Sequence, residues 1–218
     1  MIAANIDKIK QQIGMGVQLI AVSKTKPVEM LMEAYQAGQR AFGENKVQEM
    51  LAKQAEMPAD VEWHLIGHLQ SNKVKQIIPF VHLIHSVDGF KLLEMINKEA
   101  QKNNRIINCL LQIYIADEDT KFGLSEAEAE EMIHSAAFAQ LANIKIVGLM
   151  GMATNTNDES KILAEFKSLK TFYDKLKPHQ AANFDLTTLS MGMSSDYMLA
   201  VKAGSNMVRV GSLVFGTW

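Results

Sequence analysis

Leu19-Ile20-Ala21-Val22-Ser23-Lys24-Thr25-Lys26-Pro27 is an apolar run that closes in a short polar turn and a proline. It reads as a buried strand followed by a helix that takes proline into its first turn. Side chains alternate along a strand, so Ile20, Val22 and Lys24 share one side, and Leu19, Ala21 and Ser23 the other. A lysine on the same side as two core residues needs a partner or a chemical use. A buried amine is a potential nucleophile that can form a Schiff base, and Lys24 is the candidate for that chemistry. Lys26 has the same parity but lies beyond the strand, beside Pro27, where it is expected to reach solvent.

This strand-then-helix unit recurs along the whole chain. Apolar runs predict strands at 17–23, 41–43, 61–66, 81–86, 106–115, 143–149, 186–190 and 206–210. Amphipathic stretches predict helices at 27–38, 44–56, 70–78, 89–103, 125–139, 158–176 and 194–203. Ile2, Ile6, Ile9 and Ile13 add a leading amphipathic helix, which is not the pattern of a signal peptide. Gly38 and Gly204 fall where helix C-caps belong, and Ser125 followed by Glu126 and Glu128 marks an acidic first turn. Strict β/α alternation implies a parallel sheet with helices outside it, and eight strands are the number of a (β/α)8 barrel. The expected fold is therefore one α/β domain over residues 1–218, a TIM-type barrel with an N-terminal helix and short loops. A doubly wound open sheet is the alternative on pattern alone.

The composition narrows the function classes. The chain has 218 residues, 48% of them hydrophobic, and a formal net charge of -2. That is enough for one sizeable core. With 22 Lys+Arg against 24 Asp+Glu there is no basic excess to attract nucleic acid. The single cysteine, Cys109, reads as a small core residue, and no disulfide framework is possible within the chain. No apolar stretch is long enough to span a membrane, so a soluble, cytoplasmic protein is expected.

In a barrel, function sits on the loops after the strands' C-terminal ends. Those loops carry Ser23–Pro27, Phe42-Gly-Glu-Asn45, Trp63–Lys73, Thr120-Lys-Phe-Gly123, Gly148–Met152, Leu189–Asp196 and Val208–Ser212. Ser194 reads as the N-cap of the helix 194–203, and Gly192 as a close approach of backbone to ligand. A helix N-terminus with free amides attracts phosphate, and Gly211-Ser212 supplies a second amide-rich turn beside it. The plainer reading is that these serines and glycines only cap and turn. Arg209, in an apolar terminal strand, needs a phosphate, a carboxylate or a ring nitrogen as acceptor; an ion pair with Glu44 or Glu62 is the structural alternative.

These motifs carry a resemblance. Ala-Val-Ser-Lys-Thr-Lys-Pro, Phe-Gly-Glu-Asn, Trp-His-Leu-Ile-Gly-x-Leu-Gln-x-Asn-Lys, Gly-Leu-Met, Leu-Ser-Met-Gly-Met-Ser and Val-Arg-Val-Gly resemble the YggS family, the pyridoxal phosphate homeostasis proteins. That family is related to the barrel domain of bacterial alanine racemase. The match runs from about Leu19 to Gly216, with the motifs in family order. It implies a monomeric barrel that holds pyridoxal 5'-phosphate (PLP) as an internal aldimine. The Schiff-base lysine would be Lys24, the phosphate loops Met193-Ser194 and Gly211-Ser212, and the residue facing the pyridine nitrogen Arg209. Asn45 would lie beside the cofactor.

The residues constrain what such a site can catalyse. PLP is a strong electron sink when its ring nitrogen is protonated opposite an acid. Arginine only donates, so Arg209 should leave that nitrogen unprotonated. Racemisation in alanine racemase also uses a tyrosine from a separate C-terminal domain across a dimer. This chain ends at Trp218, and none of Tyr35, Tyr114, Tyr173 and Tyr197 sits at an obvious strand end. The resemblance therefore implies a protein that buffers PLP and delivers it to apo-enzymes, without dedicated catalysis. A weak amino-acid racemase is the alternative, and an aldolase using Lys24 on a phosphorylated sugar is a third possibility. His64, with Glu62 on its face, is a hydrogen-bonded core histidine or a proton shuttle. His82 and His85 show no metal-ligand spacing with an acid, so no metal is expected. Met150, Met152, Met191 and Met193 are core filler or the lining of a soft pocket. Lys121 is a solvated loop residue, or one that meets PLP in transit.

Overall fold

The computed structural model describes residues 1–117 and 122–216. Eight parallel strands close on themselves in sequence order: β1 (Gln18–Val22), β2 (Ala41–Glu44), β3 (Glu62–Leu65), β4 (Val81–Val87), β5 (Ile107–Gln112), β6 (Ile144–Met150), β7 (Phe184–Ser190) and β8 (Met207–Val210). β8 pairs with β1 from Gln18↔Met207 to Ala21↔Val210, which closes the barrel and excludes the open sheet. The helices are α1 (Ile2–Ile13), α2 (Val28–Gln36), α3 (Val47–Gln54), α4 (Val74–Ile77), α5 (Phe90–Lys102), α6 (Glu126–His134), α7 (Ala136–Ala139), α8 (Glu159–Leu176), α9 (Tyr197–Lys202) and α10 (Ser212–Phe215). Among the described residues no helix is long and apolar enough to cross a membrane.

Strand alternation sorts the core into two layers. Leu19 and Ala21 face outward to the helices, while Ile20 joins Ala41, Leu83, Leu110, Met150 and Met207 inside the barrel. The α1 stripe of Ile2, Ile6, Ile9 and Ile13 is buried, and the helix packs against α2, α9 and α10. Each such isoleucine contributes about 1.5–3 kcal/mol when fully buried. Cys109 is a core residue, as its apolar surroundings predict, and burial raises its thiol pKa.

Where boundaries moved, local hydrogen bonds moved them. The predicted helix 125–139 opens with a capping box at Ser125 and breaks at Ser135, whose hydroxyl caps α7 by accepting from Phe138 N. The predicted helix 194–203 begins only at Tyr197, after a turn. Residues 70–78 form a 3-10 turn, Ser71–Lys73, and then α4. α10, four residues long, carries too little periodicity to be read from sequence.

Candidate functional site

At the C-terminal end of the barrel lies a cavity of about 400 Å³. Lys24, Asn45, Met193, Ser194, Arg209, Gly211 and Ser212 all line it, together with Val22, Ile66, Met152 and Ser195. The seven residues singled out in the sequence thus come from four different strand ends and meet in one place. A second, smaller cavity of about 210 Å³ shares Met152 and Met193 with the first and is lined by Tyr114 and Phe122. Tyr114 therefore stands nearer the site than its sequence position suggests. Tyr35 and Tyr197 are engaged elsewhere, by Asp60 and Gln12. Of the four methionines considered, Met152 and Met193 line the cavity, whereas Met150 and Met191 are core. Lys121 lies outside the described residues.

Lys24 is half-buried rather than buried. The buried lysine of this region is Lys53 on α3, which the sequence reading passed over. Its Nζ donates to the Ser23 carbonyl at 2.6 Å, to Glu44 Oε1 at 2.7 Å and to Glu49 Oε1 at 2.7 Å. Ser23 Oγ also donates to Glu44 Oε1, at 2.6 Å, and Thr25 N donates to Glu49. Lys53 and its two carboxylates therefore clamp the backbone on both sides of Lys24. Thr25 sits at φ 60, a left-handed conformation costly for a β-branched residue, so the turn is over-determined by this network. Burial raises the Glu44 carboxyl pKa, and the bonds from Lys53 and Ser23 oppose that shift. The available signal was the stripe Val47, Met50, Lys53: a lysine at helical spacing on a buried face.

Arg209 is 3% exposed and pairs with neither Glu44 nor Glu62. Its Nη1 donates to Ser190 Oγ at 2.7 Å and its Nη2 to the Gly151 carbonyl at 3.2 Å. Burial pushes its pKa down to about 10, with Asp196 opposing, so it remains cationic at neutral pH. Behind it a polar chain runs down the barrel interior. Ser190 Oγ lies 3.0 Å from His85 Nδ1, and His85 Nε2 lies 2.9 Å from His64 Nδ1. Burial holds His64 neutral, with its pKa lowered to about 3. His64 is thus a hydrogen-bonded histidine of the barrel interior.

The two serine-glycine loops differ from expectation in how they are built. Ser194 is not a helix cap; its Oγ accepts from Gly211 N at 3.2 Å and ties the β7 loop to the β8 loop. Asp196 shapes the turn instead, accepting from Met193 N at 2.6 Å. Gly192 adopts φ +101, and a Cβ there would lie 2.6 Å from the Ala200 Cβ. Its glycine serves packing against α9 and not an approach to ligand. A Cβ at Gly67 would meet the Asn45 carbonyl at 2.4 Å, so glycine there lets the β3 loop support Asn45.

One amine, one guanidinium, three serine hydroxyls and an amide-bearing turn thus converge on a cavity of the size small-molecule sites have. The chain matches the family model described as alanine racemase, N-terminal domain, over residues 1–217. It is 42% identical over 206 residues to a pyridoxal phosphate homeostasis protein of Vibrio alginolyticus, covering 92% of this chain and 86% of that one. A pyridoxal phosphate homeostasis protein of Aquifex aeolicus is 37% identical over 215 residues, covering 97% and 92%. Among solved structures, PipY of Synechococcus elongatus PCC7942 with PLP bound superposes with a TM-score of 0.89 at 40% identity, covering 99% of this chain and 100% of that one.

Proposed function

This chain belongs to the pyridoxal phosphate homeostasis protein family, built on the alanine racemase N-terminal domain, and from that premise we propose that it binds PLP in the C-terminal cavity, with Lys24 as the covalent anchor. The observation that carries the reading is the convergence of Lys24, Arg209 and the serine-glycine loops on one cavity. PLP, when bound, supplies an aldehyde that condenses with a primary amine and a ring that withdraws electrons. PLP bound to the 40%-identical PipY supports the same ligand here.

Each residue then has a task. Lys24 presents the amine at the cavity wall, and the Lys53 clamp holds its backbone turn in place. Ser194 and Ser212 offer hydroxyls, and the turn that follows Gly211 offers amides, to a phosphate. Asn45, on the cavity wall, would contribute an amide beside the ring. Arg209, held by Ser190 and Gly151, is a cation with no proton-accepting atom, and it would be the group facing the pyridine nitrogen. A carboxylic acid there would promote amino-acid chemistry, whereas an arginine does not. The site is accordingly suited to holding and releasing the cofactor. We take the protein to act as a cytoplasmic monomer that buffers PLP and passes it to the apo-forms of PLP-dependent enzymes.

The test is spectroscopic. PLP added to the purified protein should give a visible band that borohydride converts into a permanent label on the peptide containing Lys24. Lys24→Ala should lose both band and label. A wild-type protein that PLP cannot colour, or a label retained in Lys24→Ala, overturns the assignment. A weak racemase is the second reading, favoured by Tyr114 in the adjoining cavity. It requires Lys24- and Tyr114-dependent deuterium incorporation at the α-carbon of single amino-acid enantiomers in deuterated water.

A further inference from the structure

The other end of the barrel carries a second group of chemistry-bearing side chains. Glu62 and His64 stand two apart on β3 and share a side. On β4 the register shifts: Trp63 faces Val81 while His64 faces Leu83, leaving His82 as the extra residue. Such a bulge re-aims a side chain, and it turns the His82 ring to within 5.3 Å of the His64 ring, centre to centre. One ligand atom from each of Glu62, His64 and His82 lies within 4.8 Å of the other two. The sequence spacing shows no such pattern, because the bulge creates it.

His64 supplies an independent observation. It is fully buried, and its Nε2 has no hydrogen-bond partner among the described residues, while its Nδ1 is taken by His85. A buried polar atom without a partner costs about 1–3 kcal/mol, so a fold that keeps one invites a ligand for it. Glu62 is only lightly committed, through a long 3.4 Å contact from Gln18 Nε2.

We propose that Glu62, His64 and His82 form a binding site for a divalent transition-metal ion of the zinc class, at the end of the barrel opposite the cofactor cavity. Two imidazoles and one carboxylate are a donor set zinc accepts, leaving a fourth position for water. Tetrahedral donors stand about 3.3 Å apart. The exposed His82 and half-buried Glu62 close toward a His64 that the barrel holds still. The outer contacts fit as well. With Nε2 on the metal, His64 Nδ1 carries the proton and donates to His85 Nε2. His85 Nδ1 then donates to Ser190 Oγ, which accepts a second bond from Arg209.

Co2+ is the probe, because its visible d–d absorption reports coordination geometry. The full-length protein, stripped of metal by chelator, should bind one Co2+ with the strong absorption of a four-coordinate site. His82→Ala and Glu62→Gln, at an exposed and a half-buried position, should each weaken binding about 10-fold or more. Zn2+ should raise the thermal midpoint of the wild type and not that of His82→Ala. Unchanged Co2+ affinity in His82→Ala, or absence of a four-coordinate spectrum, overturns the proposal. So does loss of binding in His179→Ala, since the His134 and His179 rings, 4.8 Å apart, are the competing pair. PLP loading is read separately from its own band, so the two sites stand or fall independently.

Discussion

The two ends of this barrel both open into cavities, and the larger one has the poorer chemistry. The N-terminal cavity measures about 630 Å³ and is lined by Lys10, Gly14, Met15, Gly38, Gln39 and Arg40 among others. Its buried polar group is spent on the backbone: Gln39 Nε2 donates to the carbonyls of Leu19 and Ala41, both at 2.8 Å. The C-terminal cavity is about 400 Å³, yet an amine, a guanidinium and three hydroxyls face it. Volume records where loops leave space. Function needs polar groups that are held in position and still face the space. In a barrel that combination gathers on the loops after the strands; before them, among the described residues, it is confined to the Glu62, His64 and His82 cluster.

Lys53 holds the C-terminal cavity's wall in place, so its removal should have the largest effect. Lys53→Ala leaves Glu44 buried without its cation and frees the turn carrying Lys24. Urea denaturation should show a loss of about 3–5 kcal/mol, and PLP binding should weaken with it. Glu44→Gln in the same background should restore part of the stability. A Lys53→Ala protein of wild-type stability would show that Lys53 does not clamp the turn.

The interior chain that joins the two ends can be probed with acid. Folded His64 stays neutral down to about pH 3, whereas an unfolded histidine takes up its proton near 6.5. Between those values the unfolded chain binds more protons, so the stabilising difference is fully present above about pH 6.5. It is lost as pH falls toward 3, by about 1.4 kcal/mol per pH unit for each such group. His85, also lowered by burial, adds to the slope. Unfolding free energies measured from pH 7 to 5 should show this fall, and His64→Gln should flatten it. A pH-independent stability over that range would mean the chain is not held neutral.

The smallest effects are expected at the walls of the two cavities. Ser194→Ala removes one bond to the Gly211 amide and one cradle hydroxyl, costing about 1 kcal/mol of stability and weakening PLP about 10-fold. Met15→Ser, on the exposed rim of the larger cavity, should stay within about 0.5 kcal/mol and leave PLP binding unchanged. Equal effects of the two on a PLP titration would erase the distinction between the ends.

Much of the fold was legible because its signals are local. Eight apolar runs separated by amphipathic ones predicted eight strands, and each lies within a few residues of its predicted position. Parity put Ile20 and Leu19 on opposite sides of the strand, and the barrel takes Ile20 inside and Leu19 outside. The candidate site was legible for a related reason. Polar and glycine residues directly after apolar runs mark strand ends, and a closed parallel barrel gathers those ends on one face. Depth was less legible: parity put Lys24 on the interior side but could not tell that it is only half-buried, because the loops over it come from distant segments.

Periodicity within a dozen residues specifies the strand count and the polar residues at the strands' C-terminal ends, and it leaves closed barrel and open sheet both possible. Closure of β8 on β1 and the choice of side-chain partners belong to the tertiary structure. Lys53 finds Ser23 thirty residues away, and His85 meets Ser190 across 105 residues. The β4 bulge brings His82 to His64 against the alternation of an ideal strand. Such pairings depend on barrel closure and register, which no local pattern encodes.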